Sequence, residues 1–126
     1  MNEGFKLLLI VFAGSGLGGV ARWTVQSLII QRISSAFPLS TLVVNISGCF
    51  IIGMIYGLSA GNELSNGWKL ALTTGFCGGF TTFSTFSFEN LQLLKNGNYG
   101  LFAINIIASV LLGIAAVIAG LYMVKN

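Results

Sequence analysis

Few residues in this chain are able to do chemistry, and their types narrow what that chemistry is. There is no histidine, the carboxylates are Glu3, Glu63 and Glu89, and the thiols are Cys49 and Cys77. Acid–base, nucleophilic and metal-assisted catalysis draw on those residue types, so an enzyme is not expected. Polarity is concentrated instead in the string TTGFCGGFTTFSTFSFEN, from Thr73 to Asn90. Hydroxyls at Thr81, Thr82, Ser84, Thr85 and Ser87 are interleaved there with Phe80, Phe83 and Phe86, and Phe76 extends the phenylalanine stripe. Upstream, TLVVNISG carries one amide, Asn45, with Thr41 one helical turn before it on the same face. Hydroxyl and amide hydrogens, together with ring edges that carry partial positive charge, suit an anion rather than a cation. A phenylalanine stripe also serves simple packing, and a lone amide also serves as a hydrogen bond to a neighbouring helix. The hydroxyl rows, Thr81 with Ser84 and Thr82 with Thr85, weigh toward a lined passage.

Helices in a membrane must position these groups. Of the 126 residues, 55% are hydrophobic and 7% are charged, whereas a soluble domain carries about 25% charged residues. Six basic and three acidic side chains cannot wet the outside of a globule. At roughly 20 apolar residues per crossing, the length accommodates four spans and no soluble domain. The expected spans are about 7–30, 40–60, 68–94 and 99–124, in one integral membrane domain over 1–126. The stretch QRISSAFPLS, with the only proline, Pro38, reads as the first loop, and GNELSNG as a turn. The start, Lys6 followed by LLLIVFAGSG, also has the form of a secretory signal. Apolar character resumes through Val20, Trp23 and Val25 to Ile30, which favours a retained span.

Within the third span, Gly75, Gly78 and Gly79 precede the hydroxyl cluster. Such residues are poor helix formers, and the hydroxyls can rebond freed backbone groups, so this helix is expected to break mid-span. Irregular backbone at membrane depth persists only when buried in protein or lining a hydrated cavity. Carbonyls exposed at such a break are also able to hold a cation.

Charge position bears on assembly. With both termini on one side, Lys6, Lys69 and Lys125 face one compartment, and Arg32 and Lys95 the other. That balance hardly biases orientation under the positive-inside rule. One reading is a weak preference that still fixes one orientation; the other is insertion both ways, which permits an antiparallel dimer. The 17 glycines include Gly14–Gly18, Gly53–Gly57, Gly57–Gly61 and Gly75–Gly79, all at four-residue spacing. Small residues at that spacing let helix backbones approach closely in lipid, and they predict that most helix faces meet protein. Arg22, costly at depth, either snorkels or makes a structural hydrogen bond, or else acts on an anion electrostatically. Glu89, about five residues from its helix end, is expected at a vestibule or interface rather than at the midplane. Cys49 and Cys77 read as small buried hydrophobes. The GxGxxxR pattern around Gly16, Gly18 and Arg22 lacks the strand context of a nucleotide fingerprint.

The string GFCGGFTTFSTFS, preceded by TLVVN and by Arg22 in the first span, closely resembles the Fluc/CrcB fluoride channels over essentially the whole chain. The resemblance implies an all-α membrane protein of four transmembrane helices, the third broken mid-span, assembled as an antiparallel dual-topology homodimer with two pores. It implies passive fluoride export across the inner cell membrane and a structural Na+ at the dimer centre that is not transported. The implied partners are fluoride, a second copy of the chain and the lipid bilayer, with no nucleic acid. By position, Phe83 and Phe86 would line the pathway with their ring edges and Asn45 would donate from its amide. Thr41, Ser84 and Thr85 match parts of a polar track, and Gly78 and Thr81 would offer backbone carbonyls to Na+. Glu89 would sit near a vestibule, and Arg22 is similar to the first-span arginine. An independent argument also favours two subunits: a bare anion in a low-dielectric medium costs tens of kcal/mol, and four helices can hardly pack together and also enclose a donor-lined path. The rival readings are a small proton-coupled exporter of cationic drugs, which needs a membrane-embedded carboxylate that the first span lacks, and a non-conducting assembly subunit.

Overall fold

In a computed structural model, which describes residues 1–125, every regular element among the described residues is helical. The order is α1 (Glu3–Arg32), α2 (Leu39–Ala60), α3 (Asn66–Leu70), a π-helical segment (Ala71–Cys77), α4 (Gly78–Phe80), α5 (Phe83–Lys95) and α6 (Tyr99–Met123). The helices α1, α2 and α6 are each long and apolar enough to cross a membrane. The run from α3 to α5 is bent rather than continuous, with two extended residues between α4 and α5.

Local chemistry sets the helix ends. Asn2 Oδ1 accepts from Phe5 N–H at 2.7 Å and caps α1, so the helix begins ahead of the apolar run that starts at Leu7. Glu3 lies in its first turn, where an anion is favoured by the helix dipole, and pairs with Lys6 at 2.9 Å. The turn after α5 is a Schellman motif: Asn98 N–H donates to Leu93 C=O at 2.8 Å and Gly97 N–H to Leu94 C=O at 3.1 Å. Gly97 stands at φ 76°, a left-handed conformation that a side chain would resist.

Two helix pairs hold the chain together, α1 against the π-helical segment and α4, and α2 against α6. Gly14 and Gly18 face Gly75 and Gly79 across the first pair. A Cβ added to Gly18 would collide with the Phe76 carbonyl, and one added to Gly79 with the Ser15 carbonyl. In the second pair, Gly53 abuts the Val117 carbonyl and Gly120 the Phe50 carbonyl. Backbone therefore touches backbone, the packing that small residues allow in lipid. One expectation needs correction. Gly61 meets only its own turn, so the Gly57–Gly61 spacing packs no helix pair. Within one chain, only 6% of the apolar window is buried in α1 and in α6, so the expectation that most helix faces meet protein would have to be met by a second copy. Cys77 is buried as expected of a small hydrophobe, whereas Cys49 is only half-buried.

Candidate functional site

The break lies at Thr81 (φ −83°, ψ 159°) and Thr82 (φ −149°, ψ 114°). Two β-branched residues after a glycine pair resist helix weakly at best, yet leaving the helix at depth frees backbone groups that need partners. Asn45 of α2 supplies them. Its Oδ1 accepts from Thr82 N–H at 2.8 Å, and its Nδ2 donates to Thr82 C=O at 3.1 Å. One carboxamide thus does what a neighbouring strand would do, and one Nδ2 hydrogen is left over. Of the two roles open to Asn45 from sequence, the cross-helix bond is the one the geometry displays.

That capture has a second effect. In a continuous helix, Thr82 N–H would bond Gly78 C=O and Thr85 N–H would bond Thr81 C=O. Here Thr82 N–H goes to Asn45, and Thr85 N–H goes to Thr82 Oγ1 at 3.1 Å. The carbonyls of Gly78 and Thr81 are released from the helix ladder. The intervening Gly79 C=O accepts from Arg22 Nε at 3.1 Å. Arg22 thus places a cation where a helical run ends, a favourable position against the helix dipole.

Thr82 is the hub of the hydroxyl cluster. It is 7% exposed, caps α5, donates from Oγ1 to Thr85 Oγ1 at 3.0 Å and lies 3.2 Å from Ser84 Oγ. The expected row of Thr81 with Ser84 does not form, because Thr81 Oγ1 donates back to Cys77 C=O at 2.8 Å. The phenylalanine stripe is split for the same reason: two extended residues change the helical phase. Phe76 and Phe80 stack at 5.5 Å in the half that packs on α1, and Phe80 is buried. Phe83 and Phe86 form a separate tilted pair at 5.8 Å in the other half, and Phe83 is 79% exposed.

A cavity of about 510 Å³ opens beside the break, lined by Asn45, Gly78, Thr81, Thr82, Phe83 and Phe86 among others. None of the three carboxylates lines it. The remaining sequence-derived candidates lie elsewhere. Thr41 is 2% exposed and accepts from Gln26 Nε2 at 3.1 Å, so it shares a helix face with Asn45 but not a neighbour. Glu89 lines a separate pocket of about 230 Å³ beside the α1–α2 loop, and its Oε1 is buried without a hydrogen-bond partner. Sequence reasoning did not single out Gln26, nor the buried pair in which Asn105 Nδ2 donates to Asn90 Oδ1 at 2.9 Å. The signal for the latter was present: Asn105 is the only amide in a largely apolar final span.

Residues 9–121, which take in the break and the cavity, match the family described as CrcB-like protein, Camphor Resistance (CrcB). The chain belongs to the CrcB family. Among its curated relatives is a fluoride-specific ion channel FluC of Phocaeicola vulgatus, 48% identical over 118 residues that cover 94% of this chain and 98% of the relative. A protein of the same name from Bacteroides fragilis is 46% identical over 121 residues, covering 94% and 95% of the two chains. Another from Pyrococcus abyssi is 44% identical over 127 residues and covers both chains in full. This CrcB protein is a multi-pass membrane protein, not an enzyme, and the bent run from α3 to α5 is the element on which the polar residues of the cavity converge.

Proposed function

We propose that this CrcB protein is a fluoride-selective channel through which fluoride leaves the cytoplasm passively, lowering its toxic internal concentration. The observation that carries the reading is the cavity at the break, lined by neutral donors and phenyl rings with no carboxylate. The names of the relatives point the same way.

The chemistry follows from what the break leaves free. Bare fluoride in a low-dielectric medium costs tens of kcal/mol, so its water must be replaced donor by donor. The spare Nδ2 hydrogen of Asn45, which lines the cavity, is an uncommitted donor; the hydroxyl hydrogen of Thr85, whose oxygen accepts from Thr82, is uncommitted too, although Thr85 and Ser84 stand behind the lining. The edges of Phe83 and Phe86 add weak positive potential. Each contact is modest, and conduction requires binding that is favourable enough to enter yet weak enough to leave. No lysine or arginine lines the cavity to trap the ion.

The pathway is completed by a second copy in antiparallel orientation. Phe83 and the cavity face out of the chain, and the near balance of basic residues on the two sides permits both insertions. The released carbonyls of Gly78 and Thr81 fit a structural Na+, which takes hard oxygen ligands at unwound helix segments; exposed Gly78 has no side chain to cover its carbonyl. When bound, Na+ supplies a fixed positive charge at the break, and Gly78 and Thr81 hold it with neutral backbone oxygens. A proton-coupled exporter is not favoured, since no carboxylate reaches the cavity.

Purified protein in liposomes, with potassium and valinomycin setting the potential, tests the reading. Fluoride efflux without a proton gradient, and little chloride efflux, is expected. Folded protein that passes no fluoride refutes the channel, and a strict need for a proton gradient replaces it with an exchanger. A cysteine placed at the C-terminus should label from both faces of intact cells; labelling from one face alone rejects dual insertion.

A further inference from the structure

Lys69 has no part in the pathway described above, yet it stands at the edge of the same cavity. Its Nζ lies 4.9 Å from the centroid of the Tyr56 ring, and Tyr56 lines the cavity. Thr73 lines it too, and its hydroxyl donates to the Lys69 carbonyl at 2.8 Å. The ammonium is therefore held at the α3 end of the opening by its ring contact, and the Lys69 backbone is bonded to a residue of the lining. A ring face attracts a cation without cancelling its charge. Among the described residues the only ion pair is Glu3 with Lys6, so Glu63, in the turn just before α3, does not neutralise Lys69. A fixed and uncompensated positive charge thus sits at the rim of a passage whose lining is otherwise neutral. Low-dielectric walls around such an opening focus the field along it.

We propose that Lys69, held against Tyr56 at the rim of the cavity, is an anion-collecting residue that raises the local concentration of fluoride at the pore entrance. The inference rests on the fluoride-channel reading. In an antiparallel pair with two pores each pore carries one such lysine, at the inner mouth of one and the outer mouth of the other, so both directions of flow are served equally. The role is electrostatic and at a distance, and its size can be set out. A unit charge roughly 7 Å from the ion in water concentrates it about two- to threefold before screening. At ~10 mM ionic strength most of that effect survives, about twofold, and at ~1 M it falls to about 1.1-fold.

The experiment compares wild type with Lys69→Gln, Lys69→Glu and Lys69→Arg in liposomes, recording initial fluoride efflux at low fluoride as an impermeant salt is raised. Lys69→Gln should lower the efflux rate by about one-third at low salt, because one of the two pores has the lysine at its entry mouth, and match wild type at high salt. Lys69→Glu should lower it about twofold at low salt, again converging at high salt. Lys69→Arg should restore the wild-type rate. A deficit in Lys69→Gln that is the same at every salt concentration would mean a structural role and overturn the proposal, as would rates equal to wild type at low salt. Both results leave the channel reading standing, because wild type still conducts; only absence of fluoride flux in wild type removes that reading.

Discussion

Replacing Asn45 by leucine removes both hydrogen bonds that hold the break, at 2.8 and 3.1 Å. If Thr82 stays in place, its N–H and C=O are left buried without partners, in a residue that is 7% exposed. Each such group costs about 1–3 kcal/mol, so the break is destabilised by about 2–6 kcal/mol. The chain has a less costly response: Thr82 N–H can return to Gly78 C=O and close the helix, carrying Phe83 and the hydroxyl cluster away from the cavity. Either response deprives the ion of the Asn45 donor. A hydrogen bond to a charged group contributes about 1.5–3 kcal/mol, and about 1.4 kcal/mol is tenfold. Fluoride efflux from liposomes should therefore fall by roughly 10- to 100-fold. Asn45→Asp keeps the acceptor for Thr82 N–H but turns a second oxygen toward the Thr82 carbonyl, and it adds a negative charge to an anion path; it should be no better than leucine. Size-exclusion chromatography and thermal unfolding in detergent establish that the variants are folded. Efflux within about twofold of wild type, under 0.5 kcal/mol, in folded Asn45→Leu would refute the placement of this amide on the pathway.

Phe83→Ile should depress fluoride efflux at least about tenfold with little loss of stability, because the ring is exposed at the cavity. Phe76→Ile should do the reverse, losing a stacked pair worth about 0.5–1.5 kcal/mol beyond its buried area while efflux is largely kept; equal effects on efflux would reject the split of the stripe. Gly18→Ala should lower thermal stability by about 1–3 kcal/mol, since its Cβ meets the Phe76 backbone, whereas Gly16→Ala, with open space around it, should be neutral. Exchange of Na+ for N-methyl-D-glucamine through purification and assay should abolish efflux; unchanged efflux with sodium absent by elemental analysis would remove Na+ from the proposal.

Much of the fold was legible because membrane crossing depends on local composition. The apolar stretches, the turn that opens at Gly61 and the expected interruption after Gly78–Gly79 are properties of neighbouring residues, and each is present in the structure, although the turn is shorter than composition placed it, since Asn66 and Gly67 already belong to α3. The register across the interruption was not legible in the same way. Treating Phe80, Phe83 and Phe86 as one stripe, or Thr81 and Ser84 as one row, assumes an unbroken helical phase. Thr81 and Thr82 are extended, so residues three apart on either side no longer share a face. The choice between cross-helix bond and pathway for Asn45 was likewise undecidable from spacing, because its partner lies 37 residues away. Glycine spacing announced close helix approach but not which pairs would meet; Gly57–Gly61 has the same spacing as Gly14–Gly18 and meets no helix through Gly61.

In the proposed channel the ion also constrains which residue can brace the break. Both polar groups of the Thr82 peptide unit need a partner at depth, so the brace must accept and donate at once. An aspartate accepts but cannot donate to the carbonyl, and its charge would repel an anion; an arginine or lysine donates but cannot accept, and its charge would hold the anion too well. A hydroxyl both accepts and donates but has one hydrogen, so bracing the peptide would consume it. A carboxamide has one oxygen to accept, one hydrogen for the carbonyl and one hydrogen to spare. The cation that does reach this region, Arg22, is placed behind the break with its Nε on the Gly79 carbonyl, where it supports the helix end. Neutral donors line the cavity, while the Arg22 cation stands behind the break and Lys69 stands at the rim; in the proposed channel side-chain charge would then act at a distance, and side-chain contact would stay weak enough for the ion to pass.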